Sequence, residues 1–145
     1  MDELKELKDL KDHVIVCGYG AVGTEVVEVV ASKGIKVVII DIDPAKIKKA
    51  EELGYLTIEG DATSSKILKK AGIEYAKAIA IVMDNDAKDL FAVLTARSIS
   101  KSIFIATRAN DEFVKQKLVE AGADFIVMPE VSATKEIIKE IKRSS

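Results

Sequence analysis

The chain has 145 residues, of which 48% are hydrophobic and 32% are charged, with a formal net charge of −2 at pH 7. This length suits one globular domain, and the balanced composition indicates a globular chain rather than a disordered or membrane-spanning one. Acids and bases are interspersed and every apolar stretch falls well short of ~20 residues, so we expect no nucleic-acid partner and no direct membrane insertion. The lone Cys17 excludes an internal disulfide and fits a reducing compartment.

Residues 1–12 are predicted to be a leader or linker, followed by one domain over 13–145. Leu4, Leu7 and Leu10 recur among acids and lysines in this leader. The spacing fits either a short amphipathic helix or a solvated, frayed arm.

Apolar runs then alternate with helical segments along the rest of the chain. The alternation predicts an α/β fold, a Rossmann-like doubly wound parallel sheet of about six strands. The runs are rich in Val and Ile without polar alternation, so we expect helices on both faces. The predicted strands are His13–Cys17, Lys36–Ile40, Leu56–Ile58, Ala78–Met83, Ile103–Thr107 and Phe125–Met128.

The helices between these strands carry start and stop signals. Asp43 followed by Pro44 predicts a helix N-terminus. A final helix is predicted over Ser132–Lys142. Glycine is expected to end helices at Gly34, Gly54, Gly72 and Gly122.

The strongest functional signal is a glycine-rich segment directly after the first strand, where a helix should begin. Gly18 allows a tight turn, Gly20 lets a pyrophosphate approach the backbone, and Gly23 lets helix and strand pack closely. The helix N-terminus adds N–H donors and a positive dipole end for phosphate. The alternative is that the glycines only form a tight turn. The predicted binding residues of this segment are Gly18, Tyr19, Gly20, Ala21, Val22 and Gly23.

Asp41 ends the second strand about 20 residues later. A carboxylate at this place accepts hydrogen bonds from the ribose hydroxyls of a dinucleotide. A 2′-phosphate would meet like charge there without a compensating arginine. We therefore expect NAD(H), ATP, ADP or AMP rather than NADP. Ile42 is added to the predicted site, and Asp43 is assigned to the cap of the next helix.

Other chemically suggestive residues favour structural roles. The acidic segment Asp84–Asp86, with Asp89, lacks the glycine and distal glutamate of a calcium loop, so we expect helix capping and solvation rather than a metal site. Cys17 is expected to be a buried structural thiol and His13 a polar residue at a strand edge. No nucleophile and base are paired, so we expect no active site and no enzyme.

Several segments together resemble the RCK domain, also called KTN or TrkA-N, of potassium channels and potassium uptake systems. The resemblance covers residues 13 to about 140. It rests on His13–Gly23, Ile40–Asp43, Gly60–Thr63, Asn85–Leu90, Ala121–Asp124 and Met128–Glu130.

The resemblance implies further site residues. In that family the Gly-Asp-Ala-Thr segment lies beside the adenine, which implies this position for Asp61, Ala62 and Thr63. Calcium-gated members place acids where this chain has Met83 and Arg108, so that calcium site is expected to be absent. Both residues are included in the predicted nucleotide site, Arg108 as a phosphate contact; the alternative is an exposed surface arginine. Ala21 replaces an arginine of ATP-responsive members, which implies weak sensing of a γ-phosphate.

The implied function is a cytoplasmic regulatory module at the inner face of the membrane. It would bind an adenine nucleotide, form a homodimer or larger ring, and gate a potassium-conducting membrane subunit. The apolar residues of the helix after the fourth strand support self-association. They are Phe91, Val93, Leu94 and Ile99.

Two other functions use the same nucleotide site. One is a small NAD-dependent oxidoreductase, although few residues follow the last strand to supply a substrate domain. The other is a free-standing sensor of the NADH to NAD ratio.

Overall fold

The computed structural model describes residues 3–144, with side chains from residue 6 onward. Met1, Asp2, Ser145 and the side chain of Leu4 lie outside the described part. The strands are β1 (Val14–Cys17), β2 (Val37–Asp41), β3 (Leu56–Glu59), β4 (Ala78–Ile81), β5 (Phe104–Arg108) and β6 (Phe125–Val127). The helices are α1 (Glu3–Lys8), α2 (Ala21–Ser32), α3 (Pro44–Glu52), α4 (Ser65–Lys70), α5 (Asp86–Ile99), α6 (Glu112–Ala121) and α7 (Pro129–Ser144).

The six strands form one parallel sheet in the order β3-β2-β1-β4-β5-β6. The predicted Rossmann-like α/β fold is confirmed. The chain leaves β1 in one direction to build β2 and β3, and returns to the other side of β1 to build β4, β5 and β6. The direction of strand order therefore reverses between β1 and β4, where doubly wound sheets open a binding crevice at their carboxyl ends.

Helices cover both faces of the central strands. On one face Ile15 and Ile79 pack with Leu68 of α4, Val93 of α5 and Leu118 of α6. On the other face Val16 and Ile39 pack with Val27 of α2 and Ala50 of α3. Every residue of β1 is buried, which explains why its sequence is apolar without alternation.

The β5–β6 edge of the sheet is open on one face. Phe104 is 49% exposed and Phe125 is 56% exposed, whereas Ile105, on the opposite face of β5, is fully buried. Helix α7 buries none of its described side chains. The expectation that helices cover both faces therefore holds at the centre of the sheet but not along this edge.

Element boundaries depart from the predictions by a few residues. β4 ends at Ile81 rather than Met83, because the Met83 N–H donates to the Asp89 carboxylate and not to a strand. α7 begins at Pro129 rather than Ser132, since proline suits the first turn of a helix. Gly34, Gly54 and Gly72 adopt positive φ just after helices, and Gly122 is the left-handed cap of α6, as predicted.

Two features near the N-terminus bear on the predictions: His13 differs from its expected position, whereas residues 3–8 adopt the helical alternative. His13 was predicted to be a polar edge residue, but it is fully buried and its Nε2 lies 2.8 Å from the carbonyl oxygen of Ala71. Residues 3–8 form α1, and Leu7 is buried in the core. The boundary between a 1–12 leader and a 13–145 domain stays a prediction. Over the described residues, the chain contains no helix with both the length and the apolar character needed to cross a bilayer.

Candidate functional site

A cavity of about 530 Å³ opens at the carboxyl ends of β1 to β5. This volume lies in the range of small-molecule and cofactor sites. Of the predicted site residues, eleven line it: Gly18, Tyr19, Gly20, Ala21, Val22, Asp41, Ile42, Asp61, Ala62, Met83 and Arg108. Gly23 and Thr63 are not among the lining residues.

Two glycines of the turn after β1 are required by packing. Gly18 has a φ of +104°, and an added Cβ would lie 2.6 Å from the carbonyl oxygen of Val82. A Cβ on Gly23 would overlap the carbonyl group of Gly18. Gly23 therefore allows the close contact of α2 with β1, as predicted, without lining the cavity.

Gly20 differs because nothing lies within 4 Å of the position its Cβ would take. It is the N-cap of α2, and no side chain caps this helix end. By contrast, the side chains of Asp43, Ser64, Asn85 and Asp111 cap α3, α4, α5 and α6. The first turn of α2 thus presents uncapped N–H donors and its positive dipole end to the cavity, an arrangement suited to phosphate.

Asp41 is held in place at the end of β2 by two backbone amides. The Tyr19 N–H donates to Oδ2 and the Asp43 N–H donates to Oδ1, both at 2.8 Å. Each carboxylate oxygen retains a lone pair, so Asp41 can still accept hydrogen bonds from ribose hydroxyls. The bond to Tyr19 ties the glycine turn to the second strand.

Asp43 caps α3 through a hydrogen bond of 2.9 Å from the Ala45 N–H, which confirms its predicted role. It also lines the cavity, as does Lys46 one turn later. The sequence reasoning missed Lys46, although a residue in the first turn of a helix that follows a strand stands at the carboxyl edge of the sheet.

The segment after β3 forms a hydrogen-bonded turn around Asp61. Its Oδ1 accepts hydrogen bonds from the Thr63 N–H at 2.9 Å and the Thr63 hydroxyl at 2.8 Å. These bonds, the backbone one first, lower the pKa of Asp61. The Thr63 carbonyl in turn accepts from the hydroxyl of Thr95 in α5. Thr63 therefore fixes the position of Asp61, which lines the cavity, without lining the cavity itself.

Arg108 ends β5 on the far wall of the cavity. Its side chain is 17% exposed, and one guanidinium nitrogen lies 3.5 Å from Asp84 Oδ1. This position differs from an exposed surface arginine and gives the cavity a cation. Lys88, in the first turn of α5, was missed by the sequence reasoning and adds another.

The acidic segment after β4 behaves only partly as expected. Asn85 caps α5 by accepting a hydrogen bond from the Lys88 N–H at 3.0 Å. Asp84 is exposed. Asp89 is not solvated, contrary to the prediction, but is fully buried. The described residues contain no cluster of ligands able to hold a metal ion.

Cys17 lies at the end of β1 and is fully buried, which confirms the expected structural thiol. Burial raises the pKa of this thiol, and the charge of Asp89 raises it further.

The remaining lining residues that the sequence reasoning did not select are Ile40, Gly60, Val82, Asp84 and Asn85.

Comparison with known proteins places this geometry in a family. The TrkA-N domain family model matches residues 14–129. The chain is 38% identical over 138 residues to potassium channel protein 1 of Methanocaldococcus jannaschii, covering 94% of this chain and 41% of that protein. It therefore spans about two fifths of the length of that relative.

Solved structures of similar domains have the same fold. The TrkA-N domain of the inner membrane protein ybaL from Escherichia coli superposes with a TM-score of 0.83 at 26% identity, covering 90% of this chain and 97% of that one. The Shewanella denitrificans Kef C-terminal domain in its AMP-bound form gives 0.76 at 25% identity, covering 92% and 81%. With most of its length matched by the family model, the chain belongs to the TrkA-N (RCK) domain family.

Proposed function

We propose that this chain is a regulatory module that binds an adenine nucleotide, NAD(H) or an adenosine phosphate, and transmits binding to a potassium-transporting membrane protein. The observation that carries the proposal is the uncapped N-terminus of α2, with open space at Gly20, facing the same cavity as Asp41. Phosphate would lie on the α2 amides and ribose on Asp41.

The charges around the cavity support an anionic ligand with a sugar. Lys46, Lys88 and Arg108 provide cations along its rim, while Asp41 and Asp61 provide acceptors. The eleven predicted residues that line the cavity are inferred to contact the nucleotide, whereas Gly23 and Thr63 act by supporting the backbone around it. The AMP-bound form of the similar Kef domain supports an adenine ligand here.

The transport role is proposed from the relatives. The curated relative is a potassium channel of which this chain matches only part, and the similar ybaL domain belongs to an inner membrane protein. We infer a cytoplasmic position beside a potassium-conducting partner, and self-association of the module.

We propose binding without catalysis. The cavity lining includes no histidine, cysteine, serine or threonine among the described residues; His13 and Cys17 are fully buried and do not line it. The oxidoreductase and redox-sensor alternatives require hydride transfer, or different affinities for NADH and NAD. Assays of both properties distinguish them.

Calorimetry with NAD, NADH, AMP, ADP and ATP tests the proposal. We expect binding of at least one of them, and weaker binding of NADP than of NAD. Asp41→Ala removes charge-assisted hydrogen bonds and should weaken binding by about 1.5–3 kcal/mol. A matched control is Asp9→Ala, an exposed aspartate near Lys36 and Leu56 at the amino ends of β2 and β3. Melting temperatures separate loss of binding from loss of fold.

Two results would contradict the proposal. If none of the five nucleotides binds, the regulatory nucleotide site is refuted. If NAD or ATP is turned over steadily by the purified chain, the enzyme alternative replaces it.

A further inference from the structure

Asp89 is a buried carboxyl group directly behind the wall of the proposed nucleotide site. Asp89 is 0% exposed. Its Oδ1 accepts a hydrogen bond of 3.0 Å from the N–H of Met83, which lines the cavity. Its Oδ2 has no hydrogen-bond partner among the described residues. A buried carboxyl with one unpaired oxygen is costly in its ionised form.

The neighbouring groups form a small charged network. Arg108, on the cavity wall, also has a buried Nε without a partner among the described residues. Asp84 and Asp86 face Asp89 with like charge, Arg108 faces it with opposite charge, and the Cys17 thiol lies close enough to respond to it. Helices α4 and α6 contribute apolar Leu68 and Leu118 to the core beside α5.

We propose that Asp89 is a proton-linked positioning residue of the nucleotide site, so that the module binds its anionic ligand tightly when Asp89 is protonated and weakly when it is ionised. The inference rests on the proposed function, because it concerns regulation of that same site. Asp89 acts through the Met83 amide and the charge of Arg108, without contacting the nucleotide itself.

The sign of the effect follows from linkage. Burial raises the pKa of Asp89 to about 7, against the lowering effects of the Met83 amide and Arg108. A bound pyrophosphate places negative charge beside Arg108 and competes for its positive charge. Both changes raise the pKa of Asp89 further, so binding takes up a proton and affinity falls as pH rises through about 7.

The test measures the affinity of NAD by calorimetry between about pH 6 and about pH 9, where the NAD pyrophosphate keeps a constant charge. The wild type should lose about tenfold in affinity for each unit by which NAD raises the pKa of Asp89. Asp89→Asn, which keeps the shape and an oxygen for the Met83 amide, should bind with an affinity independent of pH. Asp9→Asn changes an exposed aspartate at the amino ends of β2 and β3, far along the strands from the cavity, and should keep the wild-type slope.

Two further readouts do not depend on the variant folding. Titrations of the wild type in buffers of different ionisation enthalpy should show proton uptake on NAD binding near pH 7. The carboxyl carbon of Asp89, followed by NMR, should titrate at higher pH with NAD than without it.

Equal pH slopes in the wild type and Asp89→Asn, or an unchanged Asp89 titration with NAD, would overturn the inference. A failure of NAD and the adenosine phosphates to bind at any pH would overturn the proposed function, and this inference with it.

Discussion

Gly18 and Gly20 stand two residues apart in one turn, but the structure requires glycine at only one of them. Gly18 has positive φ and no room for a side chain beside Val82. Gly20 has a φ of −95°, which any residue adopts, and open space where a Cβ would be. Packing therefore does not account for glycine at position 20. Close approach of the proposed nucleotide to the α2 N-terminus would account for it.

Gly20→Ala should therefore leave stability nearly unchanged and weaken nucleotide binding about tenfold, because the methyl group occupies the approach of the phosphates. Gly54→Ala is the converse control. Gly54 has a φ of +89° in open space after α3. Its substitution should cost about 1–2 kcal/mol of folding stability and leave affinity intact. Urea unfolding and calorimetry on both variants measure the two effects. A Gly20→Ala protein with wild-type affinity would show that the ligand does not approach this backbone.

The contribution of the sequence varies from residue to residue. Asp41 and the glycines were predictable because their spacing follows from the strand–turn–helix unit that binds pyrophosphate. Asp89 was not, because its position in an acidic segment suggests solvation, while its burial depends on contacts between α5 and the end of β4. His13 was missed for the same reason, since the carbonyl of Ala71, 58 residues away, is its partner.

Among the elements, one side chain near the end of α5 links several segments at the β5–β6 edge. Arg97 donates to the carbonyl of Gly122 through Nε at 3.1 Å and Nη2 at 2.7 Å, and to the carbonyl of Ile103 at 2.9 Å. It also pairs with Asp124 at 2.8 Å, and Asp124 accepts from the Ile105 N–H. The guanidinium thus joins α5, the start of β5 and the α6–β6 turn.

Arg97→Lys should lower the free energy of unfolding by about 2–3 kcal/mol, because an ammonium group cannot make this fork of hydrogen bonds. Exchange of the β6 amides should accelerate. The matched control is Arg143→Lys, an exposed arginine paired with Glu140 in α7, which should change stability by less than about 1 kcal/mol. Nucleotide affinity should remain at the wild-type level in both. Equal stability of Arg97→Lys and the wild type would show that the edge is held by packing alone.

The order and number of strands were predictable because Val- and Ile-rich runs alternate with helical segments along the chain. The open face of β5 and β6 was not. Phe104 and Phe125 sit in apolar runs that suggest burial, and a sequence does not distinguish cover by its own helices from cover by another molecule. Only the packing of α2 and α3 over the other half of the sheet shows which face is left open.

At the scale of the whole molecule, apolar side chains lie exposed on several elements. Phe91 and Leu94 of α5 are 62% and 46% exposed, while Val93 of the same helix is buried in the core. Helix α7 adds Ile137 and Ile141, each more than half exposed. Helix α5 thus has an apolar outer face besides the one that packs on the sheet, as its sequence predicts. Exposed apolar surfaces of this kind are typical of interfaces.

We therefore expect the chain to self-associate, with dimers or larger species in light scattering at high micromolar concentration. The double variant Phe91→Glu, Leu94→Glu places two charges on the outer face of α5, where their desolvation would oppose any contact with a second copy. It should shift the population toward monomer and retain the fold, because both side chains point away from the core. Val29→Glu is the matched control, since Val29 is 55% exposed on α2, on the half of the sheet that is already covered.

A monomer at every concentration, with and without nucleotide, would contradict self-association. If the oligomer is equally stable in the double variant and the control, the interface lies on an apolar surface other than α5. Ile141→Glu would then test α7. A ligand changes self-association only if it binds the monomer and the oligomer with different affinities. Repeating the series with NAD therefore also measures whether binding in the cavity changes the stability of the interface.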